Sequence, residues 1–365
     1  MISPDFWQKR PVFLTGHTGF KGSWLALWLG RLGARTYGYA LDPKSVPSLY
    51  QAAEVARDLR GDTRGDLADL AGLRQALASA SPEIVFHLAA QPLVRESYQD
   101  PIGTFATNIL GTAHLLEAVR GLECVKAVVV VTTDKVYHNE EWAYPYRESD
   151  RLGGHDPYSA SKAAAEIVTA SYRSAFLATR GIRVASARAG NVIGGGDWSA
   201  DRLVPDCLRA FASGQPVHLR YPRAVRPWQH VLEPLSGYLL LAERLAGGEG
   251  FESGWNFGPS NEEGHAEVGQ VARRLAELWG EGARVKLEQQ AQGPHEAGLL
   301  RLDVSQAAAR LKWRPRWSLQ QALAATVDWQ KSFMAGQSAR DLCLEQLDLF
   351  SSKLSREPDC ASTGR

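Results

Sequence analysis

Short apolar and β-branched runs alternate with amphipathic stretches along the first half of the chain. The apolar runs predict strands at residues 11–15, 35–41, 84–88, 127–132 and 184–187. The amphipathic stretches predict helices at about 21–32, 70–80, 101–120 and 159–179. Alternating strands and helices are typical of right-handed βαβ units, which build a parallel sheet covered by helices on both faces. We therefore predict an α/β fold with a doubly wound parallel sheet.

The alternation breaks down after the fifth of these strands. Residues 194–206 are rich in Gly, Asp and Pro and predict a loop that enters a smaller α/β lobe, because shorter helices and strands follow it. We expect residues 1–188 to form the first domain, rejoined by about 228–258, and residues 189–350 to form mostly the lobe. The polar residues 351–365 are expected to be a disordered tail.

A glycine-punctuated turn, T-G-H-T-G-F-K-G at residues 15–22, separates the first predicted strand from the first predicted helix. Glycines let the backbone approach a pyrophosphate, and the helix N-terminus that follows offers free N–H groups and a positive dipole end. The turn therefore indicates a Rossmann-like dinucleotide-binding domain. Asp42 ends the second predicted strand, where a carboxylate that accepts ribose hydroxyls favours NAD over NADP. A plain turn aspartate before Pro43 is the alternative.

Tyr158 and Lys162 stand four residues apart near the start of a predicted helix, so both side chains lie on one helix face. A tyrosine with its ordinary pKa of about 10 is a poor base at neutral pH. A lysine cation nearby, together with an oxidised nicotinamide, favours the phenolate. Tyr158 can then remove a proton from a sugar hydroxyl while hydride leaves the same carbon.

Composition narrows the possible partners. The formal net charge of +1 gives no overall attraction for nucleic acid or for an anionic membrane, so an anionic ligand must be held by a local site. The four cysteines are scattered without a C-x-x-C pair, and we expect no metal site. We expect a cytoplasmic protein, because the N-terminus lacks an apolar signal segment and no apolar run is long enough to span a bilayer.

Seven motifs lie along roughly residues 8–330. They are G-H-T-G-F-K-G-S-W-L (16–25), H-L-A-A-Q-P-L-V-R (87–95), T-N-I-L-G-T (107–112), T-T-D-K-V-Y (132–137), Y-S-A-S-K (158–162), A-R-A-G-N-V-I-G-G-G-D-W (187–198) and R-P-W-Q-H-V (226–231). Together they resemble the extended short-chain dehydrogenase/reductase family, and within it the sugar-nucleotide 4,6-dehydratases. The first, fourth and last motifs are most similar to those of enzymes that act on CDP-glucose.

The resemblance implies NAD as cofactor, CDP-glucose as substrate and CDP-4-keto-6-deoxyglucose, a precursor of deoxysugars in cell-surface polysaccharides, as product. Tyr158, supported by Lys162, would take the C4 hydroxyl proton while NAD accepts the C4 hydride. Water would then leave across C5 and C6, and the hydride would return to C6. Asp134 would be the acid for the C6 hydroxyl, and Thr133 would hydrogen-bond the C4 oxygen. Lys135 replaces a glutamate of dTDP-glucose relatives and would be either the C5 base, with a lowered pKa, or a cation that stabilises the enolate.

The resemblance also implies which residues hold the two ligands. Cofactor contacts are expected from Gly16, Thr18, Gly19, Phe20, Lys21, Asp42, Asp66, Leu67, Ala89, Ala90, Asn108, Thr132, Tyr158 and Lys162. Substrate contacts are expected from Arg95, Ser97, Asn191, Arg202, Arg220, Tyr221 and Arg226. Asp66 would contact the adenine, with helix capping as the alternative. The arginines at 202, 220 and 226 are candidates for the diphosphate, because a guanidinium binds phosphate through two donors.

Two further expectations concern assembly and competing functions. Relatives dimerise through the helices predicted at 101–120 and 159–179, so we expect a homodimer or a dimer of dimers. A 4-epimerase, or a dehydratase that acts on a dTDP-, UDP- or GDP-sugar, is the alternative; the acid at Asp134 favours elimination over epimerisation. A non-catalytic NAD-sensing protein is a third possibility, against which the presence of both Tyr158 and Lys162 argues.

Overall fold

The computed structural model describes residues 2–260, 265–287 and 297–352. The strands are β1 (Pro11–Thr15), β2 (Arg35–Ala40), β3 (Leu59–Arg64), β4 (Ile84–His87), β5 (Ala127–Val131), β6 (Arg183–Ala189), β7 (Asn191–Ile193), β8 (Pro216–Leu219), β9 (Val225–His230), β10 (Gly254–Phe257), β11 (His265–Glu267) and β12 (Arg284–Leu287). The α-helices are α1 (Pro4–Trp7), α2 (Phe20–Arg31), α3 (Leu49–Ala52), α4 (Leu70–Ala80), α5 (Val94–Gln99), α6 (Pro101–Phe105), α7 (Gly111–Arg120), α8 (Pro157–Tyr172), α9 (Leu203–Ala212), α10 (Leu232–Gly247), α11 (Val268–Trp279), α12 (Leu319–Met334) and α13 (Ala339–Ser352).

Shorter helical turns extend several of these helices. Turns of 3-10 type span Val55–Asp58, Asp134–Val136 and Ala178–Arg180, and π-helical turns span Ala106–Leu110, Arg173–Leu177 and Ala307–Leu311. The predicted helix at 101–120 is therefore α6 and α7 joined by a π-helical turn.

A seven-stranded parallel sheet in the order β10-β6-β5-β4-β1-β2-β3 forms the centre of the molecule and confirms the predicted doubly wound α/β fold. The order reverses between β1 and β4, and the register pairs Thr15 with His87 and His87 with Val130. The carboxyl ends of β1, β4 and β5 therefore meet at one edge. Open α/β sheets bind ligands in the crevice outside such an edge.

Helices cover both faces of this sheet. Alternate residues of β1 contribute to two separate apolar cores: Val12 and Leu14 pack with α2 and α10, whereas Phe13 packs with α4 and α7. This alternation is the two-residue period of a strand buried on both sides. The sheet is consequently rigid at the edge where the motifs converge.

The smaller lobe has its own core. A three-stranded sheet in the order β11-β9-β7 and a two-stranded sheet of β12 and β8 pack with α9, α11 and α12. The apolar residues of this core include Phe211, Leu275 and Leu323. The lobe faces the carboxyl edge of the main sheet, because β7 follows directly on β6 with only Gly190 between them.

Two later segments lie against the first domain. Strand β10 is the outermost strand of the main sheet, beside β6. Helix α13 packs on α2, where the ring centroids of Trp28 and Phe350 are 5.7 Å apart. Because α13 runs to Ser352, residues 351–352 are helical, which corrects that part of the predicted disordered tail; residues 353–365 lie outside the described residues. No helix in the described part of the chain is long and apolar enough to cross a membrane.

Candidate active site

The glycine turn has a conformation that only a small residue permits. Gly16 has a φ of +76°, and a Cβ there would lie 2.6 Å from the backbone nitrogen of Ala89. The turn is fastened to β2, because the Gly16 N–H donates to the Tyr39 carbonyl at 2.9 Å and the Thr18 hydroxyl to the Leu41 carbonyl at 2.8 Å. Thr18 is thus a buried anchor of the turn.

Helix α2 begins directly after this turn. Gly19 precedes its first residue and supplies no side-chain cap, so the first N–H groups of α2 are left for a ligand. Phe20 is half-buried against the loop of the smaller lobe, where a Cβ on Gly194 would lie 3.3 Å from its ring. The turn therefore presents backbone donors next to an apolar surface.

The predicted adenosine end lies at the ends of β2 and β3. Asp42 is 84% exposed and accepts a hydrogen bond from Arg64 Nε at 2.8 Å. Asp66 is exposed, and one of its oxygens accepts the Ala68 N–H at 2.9 Å, a local turn rather than a helix cap. The Leu67 side chain is buried in the core beneath, which leaves only its backbone for a ligand.

Three more residues that were predicted to contact the cofactor, Ala90, Asn108 and Thr132, lie between the glycine turn and the carboxyl edge of the sheet. Ala90 and Thr132 line the cavity, and the Thr132 hydroxyl donates to Glu166 at 2.6 Å. Asn108 is buried, and its amide nitrogen donates to the Gln91 carbonyl at 3.0 Å and to the Ser161 hydroxyl at 2.8 Å. Because these bonds use both of its side-chain donors, Asn108 ties α8 to the sheet edge, and its contact with a cofactor stays a prediction.

Tyr158 and Lys162 lie on the inner face of α8 and line a cavity of about 710 Å³ between the sheet edge and the lobe. Thr133 and Lys135 line the same cavity from the end of β5. The Lys162 ammonium donates to the Val131 carbonyl at 3.2 Å, which ties it to the end of β5. The motif at the end of β5 and the motif on α8 are thus brought to one surface.

Burial sets the protonation of the Tyr158 and Lys162 pair. It raises the pKa of Tyr158 to about 12, and the hydrogen bond with Thr133 and the charge of Arg202 only partly oppose it. Burial also lowers the pKa of Lys162 to about 8, against the charge of Glu166 one helical turn away. Without a ligand the phenol therefore stays neutral at neutral pH, and a further cation is needed to favour the phenolate.

Asp134 and Lys135 form an ion pair at the cavity wall. The Lys135 Nζ lies 3.5 Å from Asp134 Oδ1, which also accepts the Thr133 hydroxyl at 2.9 Å. Asp134 is buried directly behind the lining, and its Oδ2 has no hydrogen-bond partner among the described residues. Lys135 is 29% exposed and reaches the cavity. Both side chains that the elimination would require after oxidation at C4 are thus at the same wall of the cavity.

The substrate end of the cavity contains most of the predicted contacts. The residues that line it are Arg95, Asn191, Arg202, Arg220, Tyr221 and Arg226. Arg95 pairs with Asp201 at 2.8 Å and Arg202 with Asp197 at 3.4 Å, so both guanidinium groups are held across the entrance. Asn191 has a buried Oδ1 to which no described residue donates, which suits it to a ligand hydroxyl or amine.

Ser97 is not among the described residues that line the cavity, and its contact with the substrate stays a prediction. It is buried, its hydroxyl donates to the Val94 carbonyl at 2.6 Å, and it accepts the Tyr158 N–H at 3.2 Å. Ser97 therefore positions the first turn of α8, and with it the phenol of Tyr158.

Sequence reasoning missed a buried network beneath Lys162. Glu166 accepts two hydrogen bonds from Arg188, from Nε and Nη2, each at 2.9 Å. Arg188 also donates to the Tyr137 hydroxyl at 2.9 Å. A glutamate one turn after Lys162 and an arginine inside a buried strand were the available signals, since buried charges are normally paired.

Lys21 is more than a member of the glycine turn. Its side chain lines the cavity, and its Nζ lies 6.0 Å from the centroid of the Tyr238 ring. Burial lowers the pKa of Lys21 to about 7, and the charges of Arg202 and Lys162 act in the same direction, against Asp134. The cavity thus holds an amine that is only partly protonated at neutral pH.

Known proteins with similar sequences and folds point to one family. The family model described as GDP-mannose 4,6 dehydratase matches residues 13–326. The CDP-glucose 4,6-dehydratase of Salmonella typhimurium is 50% identical over 343 residues, which are 92% of this chain and 95% of that protein. The structure of MoeE5 in complex with UDP-glucose and NAD is 26% identical, with a TM-score of 0.74 over 88% of this chain and 99% of that one. The dTDP-glucose 4,6-dehydratase of Bacillus anthracis in complex with NAD shares the fold, with 20% identity and a TM-score of 0.74 over 88% and 97% of the two chains.

Proposed function

This chain belongs to the GDP-mannose 4,6 dehydratase family, and we propose that it uses NAD to convert CDP-glucose to CDP-4-keto-6-deoxyglucose. One observation carries the proposal: the Tyr158 and Lys162 pair shares a cavity with Thr133 and Lys135, and Asp134 lies directly behind that lining. Tyr158 and Lys162 alone would suit an epimerase, which only oxidises and reduces the sugar, whereas elimination also needs an acid near the same sugar. The similarity to the Salmonella typhimurium enzyme supports CDP-glucose as the substrate.

The residues around the glycine turn fit NAD. The uncapped start of α2 after Gly19 would hold the diphosphate, and the exposed carboxylate of Asp42 would accept the adenosine ribose hydroxyls. Thr132, Tyr158 and Lys162 line the cavity where the nicotinamide end would lie. When bound, NAD supplies the acceptor for the C4 hydride and the donor that returns it to C6.

The side chains then divide the proton transfers. Tyr158 takes the C4 hydroxyl proton, and the Lys162 ammonium stabilises the phenolate that this requires. Thr133 hydrogen-bonds the C4 oxygen, and to donate to it the hydroxyl turns away from Asp134 Oδ1. Asp134 in its protonated form would donate its proton to the departing C6 hydroxyl, through the carboxyl oxygen that has no hydrogen-bond partner among the described residues. Lys135 lines the same cavity beside Asp134. It would either take the C5 proton as a neutral amine or, as a cation, stabilise the negative charge at C5 while another base takes that proton.

The substrate assignment is tested with purified protein and four nucleotide sugars, the CDP-, dTDP-, UDP- and GDP-linked hexoses. The alkali-induced absorbance of a 4-keto-6-deoxy sugar is followed for each. We expect turnover of CDP-glucose well above the others. Turnover of another nucleotide sugar alone would reject CDP-glucose, and conversion to a 4-epimer without the keto product would reject dehydration.

The role of Lys135 is tested by solvent-deuterium incorporation at C5 in Lys135→Met and Lys135→Glu. If Lys135 stabilises the enolate, both variants slow the exchange and Glu slows it more, because a second carboxylate beside Asp134 repels the developing charge. If Lys135 is the C5 base, Glu restores exchange that Met abolishes.

We also propose a cytoplasmic homodimer that supplies deoxysugars for cell-surface polysaccharides. Apolar side chains on the helices predicted to dimerise support this assembly: Ile102 is 75% exposed, Leu110 56% and Ile167 61%. Light scattering should give twice the chain mass, and Leu110→Asp with Ile167→Asp should give the monomer. A monomeric wild-type protein would contradict the dimer.

A further inference from the structure

Arg64, the last residue of β3, is held by two carboxylates. Its Nε donates to Asp42 Oδ1 at 2.8 Å, and its two terminal nitrogens donate to Asp62, with Nη2 at 3.4 Å. Its Nη1 also lies 3.2 Å from His17 Nε2, and the guanidinium stands 4.9 Å from the centroid of the Tyr50 ring. The guanidinium is therefore fixed in one place beside the glycine turn.

This place adjoins the adenosine ribose in the proposed NAD site. The glycine turn is bonded to β2 through Gly16 and Thr18, and Asp42 follows the end of that strand. A carboxylate at this position accepts the ribose 2′-hydroxyl in dinucleotide-binding domains. Because Arg64 Nε is 2.8 Å from Asp42, a phosphate in place of that hydroxyl would come within reach of the guanidinium.

The local charge opposes such a phosphate. Arg64 contributes one positive charge, and Asp42 and Asp62 contribute two negative charges. Burial lowers the pKa of His17, despite its hydrogen bond with Asp62, so its ring adds no charge at neutral pH. The net charge of the cluster is therefore −1, and the Nε of its arginine is bonded to Asp42.

We propose that Arg64 is a latent ligand for the 2′-phosphate of NADP, and that Asp42 masks it. This proposal rests on the proposed use of NAD. Asp42 then selects NAD in two ways. It accepts the 2′-hydroxyl, and it occupies Arg64 Nε so that this donor cannot bind a phosphate. Removing its charge leaves the cluster neutral and leaves Arg64 Nε with at most a weaker amide acceptor, which a phosphate can displace.

The test is direct binding of NADH and NADPH, measured by the nucleotide fluorescence of titrated protein. Asp42→Asn keeps the size and exposure of the side chain and removes its charge. We expect this variant to bind NADPH roughly tenfold or more tighter than the wild type does, because one repelling charge is gone. The gain should shrink at high salt. Adding Arg64→Leu to Asp42→Asn should abolish it.

Asp348→Asn is the matched control, because it removes a carboxylate from another arginine pair, the exposed one with Arg31. It should leave both affinities unchanged. If the wild type binds NADH but Asp42→Asn gains no affinity for NADPH, the inference is overturned and the proposed function still stands. A gain that survives Arg64→Leu also overturns it. Wild-type protein that binds neither nucleotide overturns both proposals.

Discussion

Glutamine in place of Glu166 is predicted to destabilise the protein strongly. The carboxylate is buried, and each of its oxygens accepts two hydrogen bonds: Oε1 from Arg188 at 2.9 Å and Thr132 at 2.6 Å, and Oε2 from Arg188 at 2.9 Å and Ser186 at 2.5 Å. Burial alone would raise the pKa of Glu166, but the charge of Arg188 and these hydrogen bonds hold that pKa below its ordinary value. The ionised form is thus the one the fold requires.

The magnitude follows from what glutamine cannot replace. Its amide has one acceptor oxygen, so its NH₂ group would face two donors at the other position. The Arg188 charge, which is also buried, would lose its counter-charge. Breaking a buried ion pair by removing one partner costs about 3–5 kcal/mol, and we expect a loss of unfolding free energy in that range. The double variant Glu166→Leu with Arg188→Met should lose less than the sum of its single changes.

Guanidinium unfolding followed by tryptophan fluorescence measures these losses. Asp348→Asn is again the control, because its pair with Arg31 is exposed and is worth about 0–1 kcal/mol. A loss below about 1 kcal/mol for Glu166→Gln would refute the reasoning about buried charge. Additive losses in the double variant would refute the coupling between the two side chains.

Three further predictions concern the cavity. Tyr158→Phe should lower turnover by about 10²–10⁴-fold while NADH still binds; unchanged turnover would exclude Tyr158 as the base. Because burial raises the pKa of Tyr158 to about 12, the ultraviolet difference between wild type and Tyr158→Phe should show no phenolate up to pH ~10 without ligand. Burial lowers the pKa of Lys21 to about 7, so the unfolded chain binds the extra proton between pH 7 and its ordinary pKa of ~10.4. Stability from this group therefore rises with pH across that window, and Lys21→Met should flatten the rise between about pH 7 and pH 9; equal slopes would contradict it.

The centre of the sheet could be predicted because its central strands are apolar over most of their length, as β5 is. Strand β3 escaped prediction because it is a polar edge strand, L-R-G-D-T-R, with little burial to leave a pattern. Helix α13 carries an apolar spacing, at Leu342, Cys343, Leu347 and Phe350. This spacing does not indicate where the helix packs, because the surface that it covers on α2 is distant along the chain.

The candidate site shows the same division between local and distant information. Tyr158 and Lys162 could be placed on one face because residues four apart are about one helical turn from each other. The bonds by which Ser97 and Asn108 hold α8 could not be predicted, because their partners are distant along the chain. The pairing of Glu166 with Arg188 depends on β6 lying beside α8, which only the tertiary fold reveals.

Helix α13 and strand β10 place a constraint on how the protein is made. Trp28, near the start of the chain, gains its cover from Phe350 only after nearly all of the sequence has been synthesised. Until Phe350 is made the Trp28 indole lacks this contact, and until β10 is made the outer edge of β6 has no strand partner. Nascent chains should therefore recruit chaperones late into translation, and the first domain cannot be excised at its sequence boundary without exposing that surface.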